Sequence, residues 1–174
     1  MTTKVATAGA AALILLATPA LAQDAGPTDA QIAHIAYTAG QLDVEAAKQA
    51  LAKSQDADVR AFAESMVRDH EAVNDKALAL VKKLGVTPEA NPTSQALTEA
   101  AAAKHASLGS LSGDAFDTAY VKNEAAYHAT VNGALADTLI PSADNAELKA
   151  LLETGLTLFR EHQAHAEQLA GKLD

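Results

Sequence analysis

The stretch LKALLETGLTLFREHQAHAEQL, residues 148–169, predicts a long helix with one inward face. The inward positions recur at alternating steps of three and four residues, which keeps them on one side of a helix in a packed bundle. These positions are Leu148, Leu151, Gly155, Leu158, His162, His165 and Leu169. Two histidines therefore stand where a purely structural helix would carry leucines.

The same periodicity predicts further helices on the N-terminal side of this stretch. Gly85 is typical of a helix end, Pro141 ends the next long helix, and Asp56 and Asp114 are suitable N-caps. The predicted helices cover about 29–54, 56–84, 95–107, 114–140 and 144–171. The third is a short alanine-rich helix within the long connection between Gly85 and Gly113.

The predicted fold class is all-α, with one domain over 29–171 after a polar leader at 23–28. Two helical hairpins joined by a long crossover that contains a short helix give the topology of a ferritin-like four-helix bundle. Hydrophobic residues make up 49% of the chain but aromatic residues only 3%, which indicates a core of small side chains.

The net charge of −9 argues against nucleic acid and against anionic membrane surfaces as partners. The chain has no cysteine, which excludes disulfides, thiolate metal sites and cysteine nucleophiles. Acidic charge and alanine-rich seams fit a monomer or a dimer equally well. The physiological protein partner stays open.

Residues 1–22 have the pattern of a secretory signal peptide. Lys4 supplies the basic region, residues 5–17 are apolar, and Ala20-Leu21-Ala22 offers small residues for cleavage after Ala22. The apolar run is too short to favour an uncleaved anchor, so we expect no membrane insertion of the mature chain. The expected location is the periplasm or outside the cell.

Polar residues interrupt the inward positions of the other long helices as well. His70 lies in the second helix, and Glu124 and His128 lie in the next long one, with Asp117 at the margin. In the first helix the expected stripe is Ile32, Ile35, Ala39, Leu42 and Ala46. An adjacent stripe that includes Glu45 is nearly as regular, so Glu45 is a further candidate.

Carboxylates and neutral imidazoles are good ligands for iron, manganese, zinc or copper. The candidate metal ligands are Glu45, His70, Glu124, His128, His162 and His165. At 1.5 Å per residue they lie at mid-bundle depths that differ by one or two turns, so one shared site and two separate polar clusters both remain open. The alternative is a hydrogen-bonded layer that sets helix register and binds nothing.

The spacing of these residues differs from that of a diiron ferritin centre, which uses Glu-x-x-His on two helices. This chain has Glu124-x-x-x-His128 and Glu161-x-x-x-His165 instead. A histidine-rich site for one metal or a loose pair of metals suits this pattern better. Haem is disfavoured because the chain lacks Trp and has few Phe residues to line a porphyrin pocket.

Several strings in the chain resemble a known family. They are FAESMVRDH at residues 62–70, Phe116-Asp117-x-x-Tyr120, His128 and the late His162. The chain is similar over roughly 28–169 to the bacterial secreted family called domain of unknown function 4142 (DUF4142), often labelled predicted outer-membrane protein. The resemblance implies a periplasmic helical bundle with Glu45, His70, His128 and His162 as the matching polar positions. It implies no activity.

The first functional hypothesis is a periplasmic or secreted metal-binding bundle with a redox or metal-handling role in stress. His70, His128 and His162 would be ligands, Glu45 and Glu124 would be ligands or supports, and His165 would be a support. The alternative is a non-catalytic structural or interaction module of the cell envelope without metal. Whether the protein is an enzyme stays open; a Glu/His hydrolase is a weaker idea, because no nucleophile motif or Gly-rich loop is present.

Overall fold

The computed structural model describes residues 26–173, and over that range the protein is all-α, without a β-strand. The predicted signal peptide at 1–22 and residues 23–25 of the polar leader lie outside the described residues. No helix between residues 26 and 173 is long and apolar enough to cross a membrane.

Four long helices, one shorter helix and a helical turn make up the described chain. The elements are α1 (Asp29–Lys53), α2 (Ala57–Leu84), α3 (Pro92–Gly109), α4 (Gly113–Ala134), a π-helical segment (Leu135–Leu139), α5 (Ile140–Ser142) and α6 (Ala146–Leu173). The π-helical segment and α5 take up the end of the helix that was expected over 114–140.

Local capping explains where several helices begin and end. Thr28 and Gln31 form a capping box at the start of α1, and the Asp56 carboxylate accepts a hydrogen bond from the Val59 backbone N–H. Gly85 ends α2 in the left-handed conformation, with φ of 66°, which glycine adopts without strain.

Two helix starts differ from the expected ones because asparagine caps were not recognised in the sequence. Asn91 caps α3 and Pro92 occupies its first turn, so α3 begins three residues before residue 95. The Asn145 side chain accepts hydrogen bonds from the backbone N–H groups of Glu147 and Leu148, so α6 begins at Ala146 rather than near Asp144.

The helices pack mainly as two neighbouring pairs, α1 with α2 and α4 with α6. α2 also packs on α6, α1 on α4, and α3 along α1. α1 and α2 approach closely at Gly40, where an added Cβ would collide with the amide of Asn74. Glycine at this position therefore leaves room for the Asn74 side chain between the two helices.

The apolar core consists of two clusters. One contains Phe62, Met66, Phe116, Tyr120 and Ala166, and the other contains Ile32, Leu135, Leu139, Leu152 and Phe159. Between these clusters the buried residues of α2, α4 and α6 are polar, and α1 adds the buried carboxyl group of Asp43. The core therefore has a polar layer between two apolar ones.

His70 in α2 and Glu124 and His128 in α4 are buried, as their inward positions predicted. In α1 and α6 the buried face keeps several of the predicted positions and differs by one residue at the others. In α6 the buried residues are Leu148, Leu152, Gly155, Phe159, His162, Ala166 and Leu169. In α1 they include Asp43 and Ala47, whereas Leu42 and Ala46 are only half-buried. Alternating steps of three and four residues allow either of two neighbouring helix faces to be the inward one. In α6 the buried face contains Phe159, and in α1 it contains Asp43.

Candidate metal centre

Five acidic and imidazole side chains form the polar layer, and each of the four long helices contributes at least one. Asp43 comes from α1, His70 from α2, Glu124 and His128 from α4, and His162 from α6. All five are between 1% and 5% exposed. Because they occupy stripe positions, helix packing alone brings them to the middle of the core.

The three histidines form one group of potential ligands. One nitrogen from each of His70, His128 and His162 can be chosen so that all three lie within 4.8 Å of one another. Their ring centroids are 5.3 to 5.6 Å apart. Three imidazole lone pairs at these separations could hold one metal ion.

The two carboxyl groups form a second group that shares His128. Atoms of Asp43, Glu124 and His128 also lie within 4.8 Å of one another. Asp43 Oδ2 is 3.4 Å from His128 Nε2 and 3.5 Å from His70 Nε2. Asp43 therefore joins the acidic group to the three histidines.

Hydrogen bonding fixes which nitrogen of His128 carries the proton. Its Nδ1 lies 3.0 Å from the backbone carbonyl oxygen of Glu124. A carbonyl oxygen can only accept, so in the neutral ring Nδ1 donates and Nε2 keeps its lone pair. This unprotonated Nε2 is the nitrogen that faces Asp43.

A different partner orients His162 and leaves the lone pair on the other type of ring nitrogen, Nδ1. His162 Nε2 lies 3.1 Å from Asp69 Oδ2, and Asp69 is also paired with the Arg68 guanidinium at 2.8 Å. Burial alone would raise the pKa of Asp69, but the hydrogen bonds from Arg68 and His162 outweigh it and lower that pKa. The carboxylate therefore accepts from Nε2, and the lone pair of His162 sits on Nδ1.

The polar atoms that face one another in this layer lack hydrogen bonds. Within residues 26–173 no hydrogen bond reaches a set of seven buried atoms. They are both carboxyl oxygens of Asp43, both ring nitrogens of His70, Glu124 Oε2, His128 Nε2 and His162 Nδ1. Leaving a buried polar group unpaired costs about 1–3 kcal/mol, so a layer that only sets helix register would be expected to pair them.

Burial sets the protonation of the layer near neutral pH. It lowers the pKa of His70 to about 2, with further lowering by His128 and His162, and it lowers the pKa of His128 to about 4. Burial also raises the pKa of Asp43 to about 8 and raises the pKa of Glu124. The imidazoles are therefore neutral, the form that binds metal, despite their ion-pair distances to Asp43.

Aromatic packing and an open groove flank the layer. The His70 ring stacks on Phe159 with a centroid separation of 4.5 Å and an interplanar angle of 6°. A groove of about 610 Å³ between α1, α3 and α4 is lined by Asp43 and Glu124 on its inner side. The acidic side of the layer thus borders a space large enough for a small molecule or a hydrated ion.

Of the six candidate ligands, the structure brings together His70, Glu124, His128 and His162. Glu45 is exposed and lies on the wall of the groove, apart from both groups. His165 is also exposed, and its ring edge contacts Phe62 at 5.1 Å. Asp117 is buried in α4 but belongs to neither group.

Sequence reasoning missed Asp43 and Asp69. Asp43 stands four residues after Ala39 and four before Ala47, both buried, but Leu42 made the neighbouring stripe look more regular. Asp69 precedes His70 and therefore points to a different side of α2, where it meets His162 from α6. The indication in the sequence was an acidic residue next to an inward histidine. A single sequence cannot distinguish such a residue from an ordinary surface charge.

The fold and site define an all-α protein with buried His/Asp/Glu groups that could hold a metal ion. The model of the family described as "Domain of unknown function (DUF4142)" matches residues 16–169, and the chain belongs to this family. The resemblance noted in the sequence is thereby confirmed. No curated protein and no solved structure matches the chain.

Proposed function

We propose that the protein binds one transition-metal ion in the polar layer, with His70, His128 and His162 as its nitrogen ligands. The observation that carries this proposal is the convergence of unpartnered ligand atoms, each with a lone pair, in a fully buried layer. His128 would bind through Nε2 and His162 through Nδ1, the nitrogens that their hydrogen bonds leave unprotonated. Asp43 would supply a carboxylate oxygen, with Glu124 beside it.

We also propose that the helices form a ferritin-like four-helix bundle. The pairs α1/α2 and α4/α6, with α3 in the connection, fit a ferritin-like four-helix bundle, in which facing helices supply metal ligands. The Glu124-x-x-x-His128 spacing and the three-histidine group favour a mononuclear centre over a diiron one.

The donor set restricts the metal to a small class. Three imidazoles with one or two carboxylates suit iron(II), manganese(II), zinc(II) or copper(II) better than calcium or magnesium, which prefer oxygen ligands. Iron, manganese or copper would supply one-electron redox chemistry at this site, and zinc would not. The protein's own residues orient the imidazoles and keep them neutral.

The proposed setting is the periplasm or the cell exterior, where the protein would handle or use a metal under stress. The support is the signal-peptide pattern at 1–22. N-terminal sequencing of the secreted protein should begin at Gln23. A mature chain that still began at Met1 would contradict this part of the proposal.

The test of binding is calorimetric titration of chelator-treated, tag-free protein with iron(II) under anaerobic conditions, manganese(II), zinc(II) and copper(II). We expect about one ion per chain for at least one metal, and loss of that site in the His70→Ala/His128→Ala double variant. Glu45→Ala and His165→Ala are controls, since both residues are exposed and outside the two groups. No saturable binding, or binding retained in the double variant, would overturn the proposal.

A further inference from the structure

A second cavity, of about 190 Å³, reaches the polar layer. It lies among α1, α2, α4, the π-helical segment and α6, with two residues of α3 at its wall, and most of its lining is apolar. Representative wall residues are Ile35, Ala36, Val73, Leu135, Leu152 and Phe159. Asp43, His70 and His128 also line it, so it adjoins the proposed ligands directly.

We propose that this cavity binds a small, uncharged, nonpolar molecule, of the size range from a diatomic gas to a benzene ring. Its volume is close to that of apolar protein cavities of about 150 Å³, which bind benzene or xenon. A folded chain segment or a lipid would need a longer groove. The cavity is therefore a site for a compact molecule.

The chemistry of the walls selects against ions and strongly hydrogen-bonding ligands. Such ligands would lose hydration without compensating hydrogen bonds along the apolar walls. Water is disfavoured along the apolar walls, away from the polar layer, because an ordered water needs two to four polar partners. Asn74 also lines the cavity, and its Nδ2 has no hydrogen-bond acceptor in the described part of the chain. That amide is a donor for a weak acceptor such as a diatomic oxide.

The cavity would place a bound molecule next to the proposed metal ligands. His70 stacks on Phe159, and both residues line the cavity together with His128. A molecule held there would lie beside a metal bound by these histidines, and Asp43 lines both this cavity and the open groove. This last step rests on the proposed function, whereas occupancy of the cavity does not.

Xenon is the probe for occupancy, in crystals of the metal-free protein under xenon pressure and by xenon NMR in solution. We expect one saturable site and an anomalous peak within the cavity. Ala36→Leu and Val73→Phe extend half-buried wall residues into it and should each weaken xenon binding at least tenfold. Ala119→Leu, half-buried beside the other apolar cluster, is the matched control and should leave binding unchanged.

No xenon in the cavity, ordered water filling it, or binding unaffected by both filling variants would overturn the proposal. The delivery step has its own measurement, the rate at which nitric oxide binds to the iron(II)-loaded protein. We expect Ala36→Leu to slow that rate at least tenfold while iron affinity stays unchanged; an unchanged rate would overturn delivery. If none of the four metals binds, the proposed function fails while the xenon result still decides the cavity.

Discussion

At the scale of single residues, the hydrogen-bond partner of each histidine decides what the ring offers to a ligand. A backbone carbonyl oxygen accepts a hydrogen bond from Nδ1 of His128, and the Asp69 carboxylate accepts one from Nε2 of His162. In the neutral rings the lone pair is therefore on Nε2 of His128 and on Nδ1 of His162. Sequence spacing could place both histidines in the core, but it could not indicate which nitrogen faces inward.

The role of Asp69 in orienting His162 is open to a direct test. Asp69→Asn replaces a charged acceptor with a neutral amide, so His162 should lose part of its orientation and basicity. We expect metal affinity to fall about 10–100-fold with the number of ions per chain unchanged, as measured by chelator competition. Asp75→Asn, at an exposed position on the same helix, is the control. Equal affinities for the two variants would contradict the assigned role.

Asp43 distinguishes a binding site from a structural layer. Leucine has nearly the shape of aspartate but no polar atoms, and neither Asp43 oxygen receives a hydrogen bond from the described residues. We therefore expect metal-free Asp43→Leu to be about 1–3 kcal/mol more stable than metal-free wild type, as measured by urea unfolding. The same variant should bind metal more weakly. A loss of stability without metal would instead indicate that Asp43 holds the layer together.

At the scale of elements, helix periodicity predicted most of the site and also caused its main error. The stripe of α4 placed Glu124 and His128 inward, and that of α2 placed His70 inward, as observed. In α1 the inward face was expected to pass through Leu42, whereas Asp43, the next residue, is the buried one. Glu45, on a stripe through Leu42, therefore became the candidate in place of Asp43. Two adjacent faces of an alanine-rich helix are almost equally apolar, so only the packing of α2 and α4 against α1 decides between them.

The crossing of α1 and α2 at Gly40 positions Asp43 opposite His70. A Cβ at Gly40 would collide with Asn74, which is itself buried. Gly40→Ala should therefore displace the buried Asn74 side chain and cost about 1–2 kcal/mol of unfolding free energy, despite better helix propensity. Urea unfolding of the metal-free protein measures this cost.

Gly133→Ala is the matched control for the crossing. Apart from its own helix backbone and its chain neighbours, no atom of residues 26–173 lies within 4 Å of a Cβ added there, so the variant should gain about 0.5–1 kcal/mol from helix propensity alone. If the two variants changed stability by the same amount, the close approach at Gly40 would have no energetic weight.

At the scale of the whole molecule, two apolar clusters enclose the polar layer. Burial disfavours the charged forms of the histidines and carboxyl groups in that layer. Composition predicted an all-α chain with a small-residue core, and the alternating stripes predicted polar residues at mid-depth. Neither could predict that four helices bring them to one layer, because depth estimates carry errors of a helical turn. The pairing of α1 with α2 and of α4 with α6 removes that uncertainty.

The same burial makes metal binding depend on pH in a defined direction. Asp43 has a pKa of about 8 without metal, so below that pH an incoming ion must displace its proton. His70 and His128, with pKa values of about 2 and 4, bind no competing proton at neutral pH. Affinity should therefore rise about tenfold per pH unit from pH 6 and level off near pH 8.

Chelator competition between pH 6 and 9 measures this dependence, and Asp43→Asn is the control because an amide does not titrate in this range. In that variant metal binding should release one proton fewer, so metal affinity should rise less steeply with pH. An affinity that is flat between pH 6 and 8 in the wild-type protein would show that Asp43 does not join the metal.

The most direct test of the account is a crystal structure of the metal-loaded protein with anomalous diffraction measured at the absorption edge of the bound metal. We predict one anomalous peak per chain in the polar layer, about 2.0–2.3 Å from His128 Nε2 and His162 Nδ1 and within reach of His70. A layer without a peak, or a peak only at a surface residue such as His105, would contradict the account.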